Sequence, residues 1–210
     1  MPSPTPRLIV ATRNAHKTAE IRSMLGGKFE VVDATAFPEF PEIEETGTTF
    51  LENARLKAEG ISRLIDGWVL SDDSGLEVDA LDGAPGIYSA RWAGESKNFT
   101  EAMTRIERLL QERGADTPDK RKAHFVSALC VAWPDGHLEE VEAHAHGTLV
   151  WPVRGDAGFG YDPSFQPDGH DRTYGEMSAI EKHGLPPLGE GLSHRAQAFV
   201  KLAEICLDPR

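Results

Sequence analysis

The stretch Phe125 to Trp133 is apolar at nearly every position. It shows no two-residue alternation between a wet face and a dry one. A strand of that kind lies inside a sheet that is covered on both sides. Pro134-Asp135-Gly136 follows and turns the chain into an antiparallel strand near Leu138 to Ala145. Elsewhere short apolar runs alternate with amphipathic segments. The pattern predicts an α/β fold, a mixed twisted sheet with flanking helices and two lobes around a central cleft. The 210 residues suit one such two-lobed domain over 7–210, behind a Pro-rich, disordered N-terminus at 1–6.

The other elements follow from local signals. Leu8 to Ala11 reads as a first buried strand. Lys17 to Leu25 has Ile21, Met24 and Leu25 at helical spacing, and Gly26-Gly27 stops it. Thr49-Phe50-Leu51-Glu52 forms a capping box, and the helix it opens carries Phe50, Ala54, Ala58, Ile61 and Ile65 on one face. Trp68 to Leu70 is a strand that ends in Ser71-Asp72-Asp73-Ser74-Gly75. Phe99 to Leu110 is a helix, followed by a polar connector from Gln111 to Lys122. Gly155 to Ser193 is a long loop region whose Phe159, Tyr161, Phe165 and Tyr174 argue for order. Arg195 to Cys206 closes the chain as a helix with Ala198, Phe199, Leu202, Ala203 and Cys206 inward.

Charge narrows the partners. The formal net charge is −12, which repels the backbone of a nucleic-acid polymer. A few basic groups in one cleft can still hold a small anion. No window has the length of a transmembrane helix, and the first strand is too short for a signal-peptide core, so no membrane partner is expected. The two cysteines, Cys130 and Cys206, read as small buried hydrophobes in a reducing compartment, the cytoplasm.

Four polar clusters could carry chemistry. Thr12-Arg13-Asn14-Ala15-His16-Lys17 joins the first strand to the first helix. It is either a loop capped by Asn14 or a phosphate cradle at a helix N-terminus. Glu44-Glu45-Thr46-Gly47 precedes the capped helix, and its acids either serve the helix dipole or hold a metal. Asn53 and Lys57, four apart on that helix, could face the same cleft. In Ser71-Asp72-Asp73-Ser74-Gly75, adjacent carboxylates repel unless exposed, paired or metal-bound. The cluster is either a turn or a site for Mg²⁺, which favours one or two protein carboxylates with water and phosphate oxygens. Gly158-Phe159-Gly160-Tyr161-Asp162-Pro163, with Lys182, His194 and Arg195 downstream, offers rings that either join the core or stack on a base. Two further features are set aside. His144 and His146 alternate on one strand face but lack a third metal ligand at a recognisable spacing. Cys130 and the scattered serines lack the strained turn of a catalytic nucleophile.

Taken in order, ATRNAHKTAEI, EETGTTFLENARLKA, SDDSGLEVDALDGAPGIYSARWAG, GFGYDPSF and LSHRAQAF resemble the inosine/xanthosine triphosphate pyrophosphatase family, the Ham1-like house-cleaning enzymes. The resemblance runs from Leu8 to about Ile205. It implies a Mg²⁺-dependent hydrolase of non-standard purine nucleoside triphosphates (inosine, deoxyinosine and xanthosine) that releases the monophosphate and pyrophosphate. It also implies a homodimer. Thr12, Asn14 and Lys17 match residues that hold the phosphates, with Arg13, Ala15 and His16 in the same loop. Glu44 matches an acid that helps bind Mg²⁺, Lys57 a phosphate-side lysine, and Ser74 a substrate contact. Asp73 matches a carboxylate that is both metal ligand and proton acceptor, and Asp72 could share its work. Phe159, Gly160, Tyr161, Asp162, Lys182, His194 and Arg195 match the nucleoside side. The stretch His183 to Ser193 is longer than in shorter relatives, which bears on where Lys182 lies. Two rival readings use the same residues. An aspartyl-nucleophile phosphatase would form a covalent phosphoenzyme, but the expected DxD spacing is missing. A nucleotide sensor would need the binding groups without Glu44, Asp72 and Asp73.

Overall fold

The computed structural model describes residues 6–65 and 67–207. Its strands are β1 (Arg7–Val10), β2 (Glu30–Asp33), β3 (Trp68–Val78), β4 (Lys122–Ala132), β5 (Leu138–Leu149) and β6 (Phe165–Pro167). Its helices are α1 (Ala15–Leu25), α2 (Phe50–Ser62), α3 (Ser89–Trp92), α4 (Phe99–Glu112), α5 (Ala179–His183) and α6 (His194–Leu202). The strands form one sheet in the order β2-β1-β3-β4-β5-β6. β1 pairs in parallel with β2 and with β3, while β5 and β6 are antiparallel. The sheet is therefore mixed and the class α/β, as the sequence predicts. The apolar run from Phe125 to Ala132 is buried throughout and lies between β3 and β5. Among the described residues, no helix is long and apolar enough to cross a membrane. The expected disorder over 1–6 falls outside the described residues except at Pro6, whose carbonyl accepts from Glu30 N at 2.9 Å.

The chain divides into two compact units. The first takes the residues up to Asp73, Ser127–Glu142 and those from Ala198 on. In it, Val10 stands opposite Leu70 of β3 and Asp33 of β2. α1 buries Thr18, Ile21 and Leu25 and ends at Gly26, whose φ of 56° is the left-handed conformation that stops a helix without a side-chain penalty. The capping box of α2 is present: Thr49 accepts from Glu52 N, and Glu52 reaches back to the cap. Phe50, Ala54, Ala58 and Ile61 are buried on one face of the helix. Ile65 lies beyond its end and is half-buried.

The second unit comprises Ser74–Val126 and Ala143–Gln197. Its core joins Ala102, Met103, Ile106 and Leu110 of α4 to Leu76, Val78, Phe125 and Leu149 from the strands. Phe165 and Tyr174 pack with Phe125 at ring separations of 4.8 and 6.0 Å. One ion pair is buried beside this core. Arg121 meets Glu107 of α4, and donates from Nε to Leu149 O at 2.8 Å and from Nη1 to Ala115 O at 3.2 Å.

Three element ends differ from the sequence reading. β3 does not end at Leu70 but runs on through the Ser71–Gly75 cluster to Val78. β5 extends past Ala145 to Leu149. α6 stops at Leu202, and a wider helical turn, Ala203–Leu207, follows it. Within α6, Ala198, Phe199 and Leu202 are buried as expected, whereas Ala203 and Cys206 are half-buried. The sequence reading also assigned no element to β2.

Breaking a buried ion pair from one side leaves the other charge without compensation. Arg121→Ala is expected to destabilise the protein by about 3–5 kcal/mol, measured by urea denaturation. A loss below about 1 kcal/mol, the level of an exposed pair, would show that the pair does not hold α4 in place.

Candidate active site

The register of β1 and β3 explains where the first group of polar residues meets. Because Val10 pairs with Leu70, the chain leaves β1 at Ala11–Asn14 while β3 continues through Asp72 and Asp73. The parallel strands thus bring the loop before α1 beside the two aspartates, at the carboxyl end of β1, where α/β sheets bind ligands. Successive side chains in a strand point to opposite faces. Asp73 faces α2 and accepts from Lys57 Nζ at 2.8 Å. Asp72 faces α1 and pairs through Oδ1 with Lys17 Nζ at 2.6 Å. Its other oxygen accepts from Ser127 Oγ of β4 at 3.1 Å. The cluster is therefore not a turn. Each buried aspartate has its own lysine, which removes the repulsion expected of neighbours.

Lys57 also binds Glu45 Oε1 at 3.0 Å and the Asp72 carbonyl at 3.0 Å. It is thus Glu45 that joins Asp73, while the Glu44 side chain is exposed. Asn53 does not face the ligand groups but holds the preceding loop, accepting from Gly47 N at 2.8 Å. A Cβ on Gly47 would lie 2.7 Å from that oxygen, so the backbone can come this close only at glycine. Burial pushes the Asp73 carboxyl above the usual carboxylate range, against the pull of Lys57 and Lys17. Burial also works against the Lys57 ammonium, but Asp73 and Glu45 hold it above the ordinary lysine value. Three carboxylates, of Glu45, Asp72 and Asp73, meet two ammonium groups, of Lys17 and Lys57. The remaining negative charge suits a cation.

The loop before α1 is a capped helix start. Asn14 is the N-cap and accepts from His16 N and Lys17 N at 3.0 and 3.3 Å. Thr12 Oγ1 accepts from Asn14 N at 3.1 Å. Two N–H groups of the helix start are thus taken by the cap, and the loop's charge for an anion is the Lys17 ammonium. Arg13 turns its guanidinium to the Phe40 carbonyl at 3.0 Å, and Ala15 and His16 are exposed.

The second unit holds the other group. Lys182 is 2% exposed and donates to Asp162 Oδ2 at 2.9 Å. The same oxygen accepts from Phe159 N at 3.2 Å, so the ion pair shapes the glycine loop. Arg195, 1% exposed, donates from Nη2 to Ser74 Oγ at 3.0 Å. His194 stacks on Phe125 with ring centres 4.8 Å apart. Tyr161 belongs to the core: its ring meets Phe99 edge-on and its hydroxyl donates to Ser89 O at 2.8 Å. Phe159 is half-buried.

The long 183–193 segment is closed at its base. Ser193 N donates to Lys182 O at 2.8 Å, and His183 Nδ1 lies 2.7 Å from Ser193 Oγ. Gly191 N donates to Gly184 O at 2.8 Å. These bonds close the neck of the excursion, so Lys182 is joined to Ser193-His194-Arg195 regardless of what lies between.

The features set aside in the sequence remain outside this site. Burial pushes the Cys130 thiol up to about 12, which leaves almost no thiolate. His124 lies beside His144 and His146, with ring centres 5.1 and 5.2 Å away. Even so, among the described residues no group of three or more His, Cys, Asp or Glu side chains is arranged to hold a metal. A cation at Asp73 and Glu45 would be of the kind that takes few protein ligands and completes its shell with phosphate and water.

Gly158 provides a test of the glycine loop. Its φ is +77°, and a Cβ there would lie 2.0 Å from Asp162 Oδ2 and 2.4 Å from Lys182 Nζ. At Gly160, with φ +70°, the nearest atom would be 3.7 Å away. Both alanine variants bear the strain of a left-handed backbone, about 1–3 kcal/mol. Only Gly158→Ala also breaks into the ion pair. It is expected to be the less stable of the two in denaturant titration, and equal losses would show that the Lys182–Asp162 pair gives way without cost.

A profile of the Ham1 family matches residues 8–205. A protein of a Bradyrhizobium strain named dITP/XTP pyrophosphatase is 66% identical over 97% of this chain and 95% of its own length. One of the same name from Rhodopseudomonas palustris is 65% identical over 97% of each. Among solved structures, a HAM1 protein from Coxiella burnetii aligns with a TM-score of 0.81 at 31% identity, covering 97% of this chain and all 100% of the other. The Ham1 protein of Staphylococcus aureus aligns with a TM-score of 0.78 at 34% identity, covering 94% of this chain and 96% of the other. On the match across nearly its whole length and on its fold, the chain belongs to the Ham1 family.

Proposed function

We propose that this chain hydrolyses the triphosphates of inosine, deoxyinosine and xanthosine to the nucleoside monophosphate and pyrophosphate, and so removes them from the nucleotide pool. The observation that carries this reading is the Asp73 carboxylate, which Lys57 holds beside Glu45 at the end of β1. The names of the relatives, dITP/XTP pyrophosphatase, agree with it.

The residues fit a divalent metal. Asp73 and Glu45 lie at one ammonium, within a cluster that carries excess negative charge, and Glu44 stands next to them in sequence. Mg²⁺ suits this set, since it takes one or two carboxylates and otherwise water and phosphate oxygens. Asp73 with Glu44 or Glu45 would hold it. Bound there, the metal would neutralise phosphate charge and orient the reacting groups.

The protein's own groups have the following tasks. Lys17 and Lys57 bind the triphosphate, aided by the Thr12–Asn14 loop. Asp73 accepts the proton of a water whose oxygen bonds to the α-phosphorus. The bond from that phosphorus to the α–β bridging oxygen breaks, and pyrophosphate leaves. No covalent enzyme intermediate is needed. In the second unit, Phe159 stacks on the base. Lys182 and Arg195, beside His194, donate toward the 6-oxo group. Adenine presents an amino group there, so a buried donor would meet another donor. A site built around a substrate hydrogen bond can reject such an analogue by roughly 10⁴–10⁵. Guanine keeps the 6-oxo group, and its rejection is assigned to its 2-amino group meeting the Phe159–Asp162 backbone as a donor, where xanthine presents an acceptor oxygen. The enzyme acts as a cytoplasmic homodimer; its two cysteines, both free thiols, accord with a reducing compartment.

The product test is direct. Inosine triphosphate with Mg²⁺ should give inosine monophosphate and pyrophosphate as first products, followed by phosphorus NMR. Inosine diphosphate and orthophosphate would place the chain in another reaction class. Asp73→Asn keeps the shape but loses the charge and the basicity, so kcat should fall by roughly 10²–10⁴, the range of general-base catalysis. A near-normal kcat in that variant would move the base elsewhere.

A further inference from the structure

Asp72 is the more deeply buried of the two aspartates, its side chain 0% exposed. A carboxylate so placed persists only when its lone pairs are occupied. Both its oxygens are engaged: Oδ1 by the Lys17 ammonium at 2.6 Å and Oδ2 by the Ser127 hydroxyl at 3.1 Å. Strand alternation turns it away from Asp73 and Lys57, toward α1. Ser127 is itself 0% exposed and interrupts the apolar run of β4. A buried hydroxyl is costly there without a partner, and Asp72 is that partner.

Lys17 gives this arrangement its purpose. A lysine side chain is a point charge on a flexible stem, which gives up rotamer freedom when it is held. Lys17 leaves the first turn of α1 and is held at two points of one residue, the Asp72 carboxylate at 2.6 Å and the Asp72 carbonyl at 3.4 Å. We infer that Ser127 and Asp72 are positioning residues. Ser127 orients the buried carboxylate, and the carboxylate fixes the Lys17 ammonium where a phosphate meets it. Asp72 then neither binds the metal nor shares proton transfer with Asp73. The inference rests on the triphosphate reading of the site.

A double-mutant cycle between Ser127→Ala and Lys17→Ala tests it, with inosine triphosphate at saturating Mg²⁺. Ser127→Ala should raise KM roughly five- to tenfold, the scale of one hydrogen bond to a charged group, with kcat within about twofold. In the Lys17→Ala background the same change should raise KM no further, because the effect passes through Lys17. Asp72→Asn, nearly isosteric, repeats the cycle should Ser127→Ala fail to fold. It should also lower the Mn²⁺ affinity of the nucleotide-free protein far less than Asp73→Asn does, as read by electron paramagnetic resonance, because only a neighbouring charge is lost and not a ligand. Full additivity with Lys17→Ala would overturn the inference, as would a loss of Mn²⁺ affinity in Asp72→Asn as large as that in Asp73→Asn. If the wild type fails to split inosine triphosphate, the functional reading falls. The cycle then runs on the affinity for inorganic tripolyphosphate, where the same non-additivity is expected and additivity overturns the inference.

Discussion

The two-residue period of β3, applied to neighbouring aspartates, is the constraint from which the charged end of the first unit follows. Alternation puts Asp72 and Asp73 on opposite faces, so one carboxylate needs a cation from α1 and the other a cation from α2. Lys17 and Lys57 meet these needs at 2.6 and 2.8 Å. The register Val10↔Leu70 sets the loop before α1 level with the pair, and the Thr49 capping box fixes where α2 starts. Each helix is thus held by an apolar face and also by one charged contact to the same two residues. Two half-buried lysines this close to one strand would repel each other if they stood alone. Here each is already compensated before a ligand arrives.

The polar cluster of the second unit follows a different principle. Lys182 and Arg195 are almost wholly buried, and each is held by a neighbour within its own unit, Asp162 or Ser74. Groups fixed in this way need little reordering when a ligand binds, and preorganisation of this kind is what makes a polar site selective. Arginine and lysine serve differently. Arg195 presents a planar fork of donors, whereas Lys182 offers one compact charge.

Much of this was legible in the sequence, and the parts that were not have physical reasons. The apolar run at Phe125–Trp133 announced a strand covered on both faces, and the capping box and Gly26 marked helix ends through local chemistry. β2 was missed because a four-residue strand, Glu30–Asp33, carries only Val31 and Val32 as a signal. The Ser71–Gly75 cluster looked like the end of a strand because consecutive polar residues usually mark turns. Tertiary partners supplied by α1, α2 and β4 kept it extended. The choice between Glu44 and Glu45 depends on which one α2 faces, and composition holds no trace of that. Ser127 did leave a mark, a lone hydroxyl in an apolar strand. A polar residue at such a position asks for a partner, but only the fold shows that the partner is Asp72.

The closed neck at Lys182 and Ser193 separates chain length from active-site geometry. Once a neck is tied by its own hydrogen bonds, the entropy of the excursion changes slowly with its size, by about 0.6 kcal/mol for each doubling. Its apex is solvated, with Leu188 77% exposed. Insertions and deletions at that apex are therefore nearly neutral to the residues at the neck. A foreign peptide or reporter spliced in near Leu188 would travel with the protein without disturbing the hydrogen bonds that tie the neck.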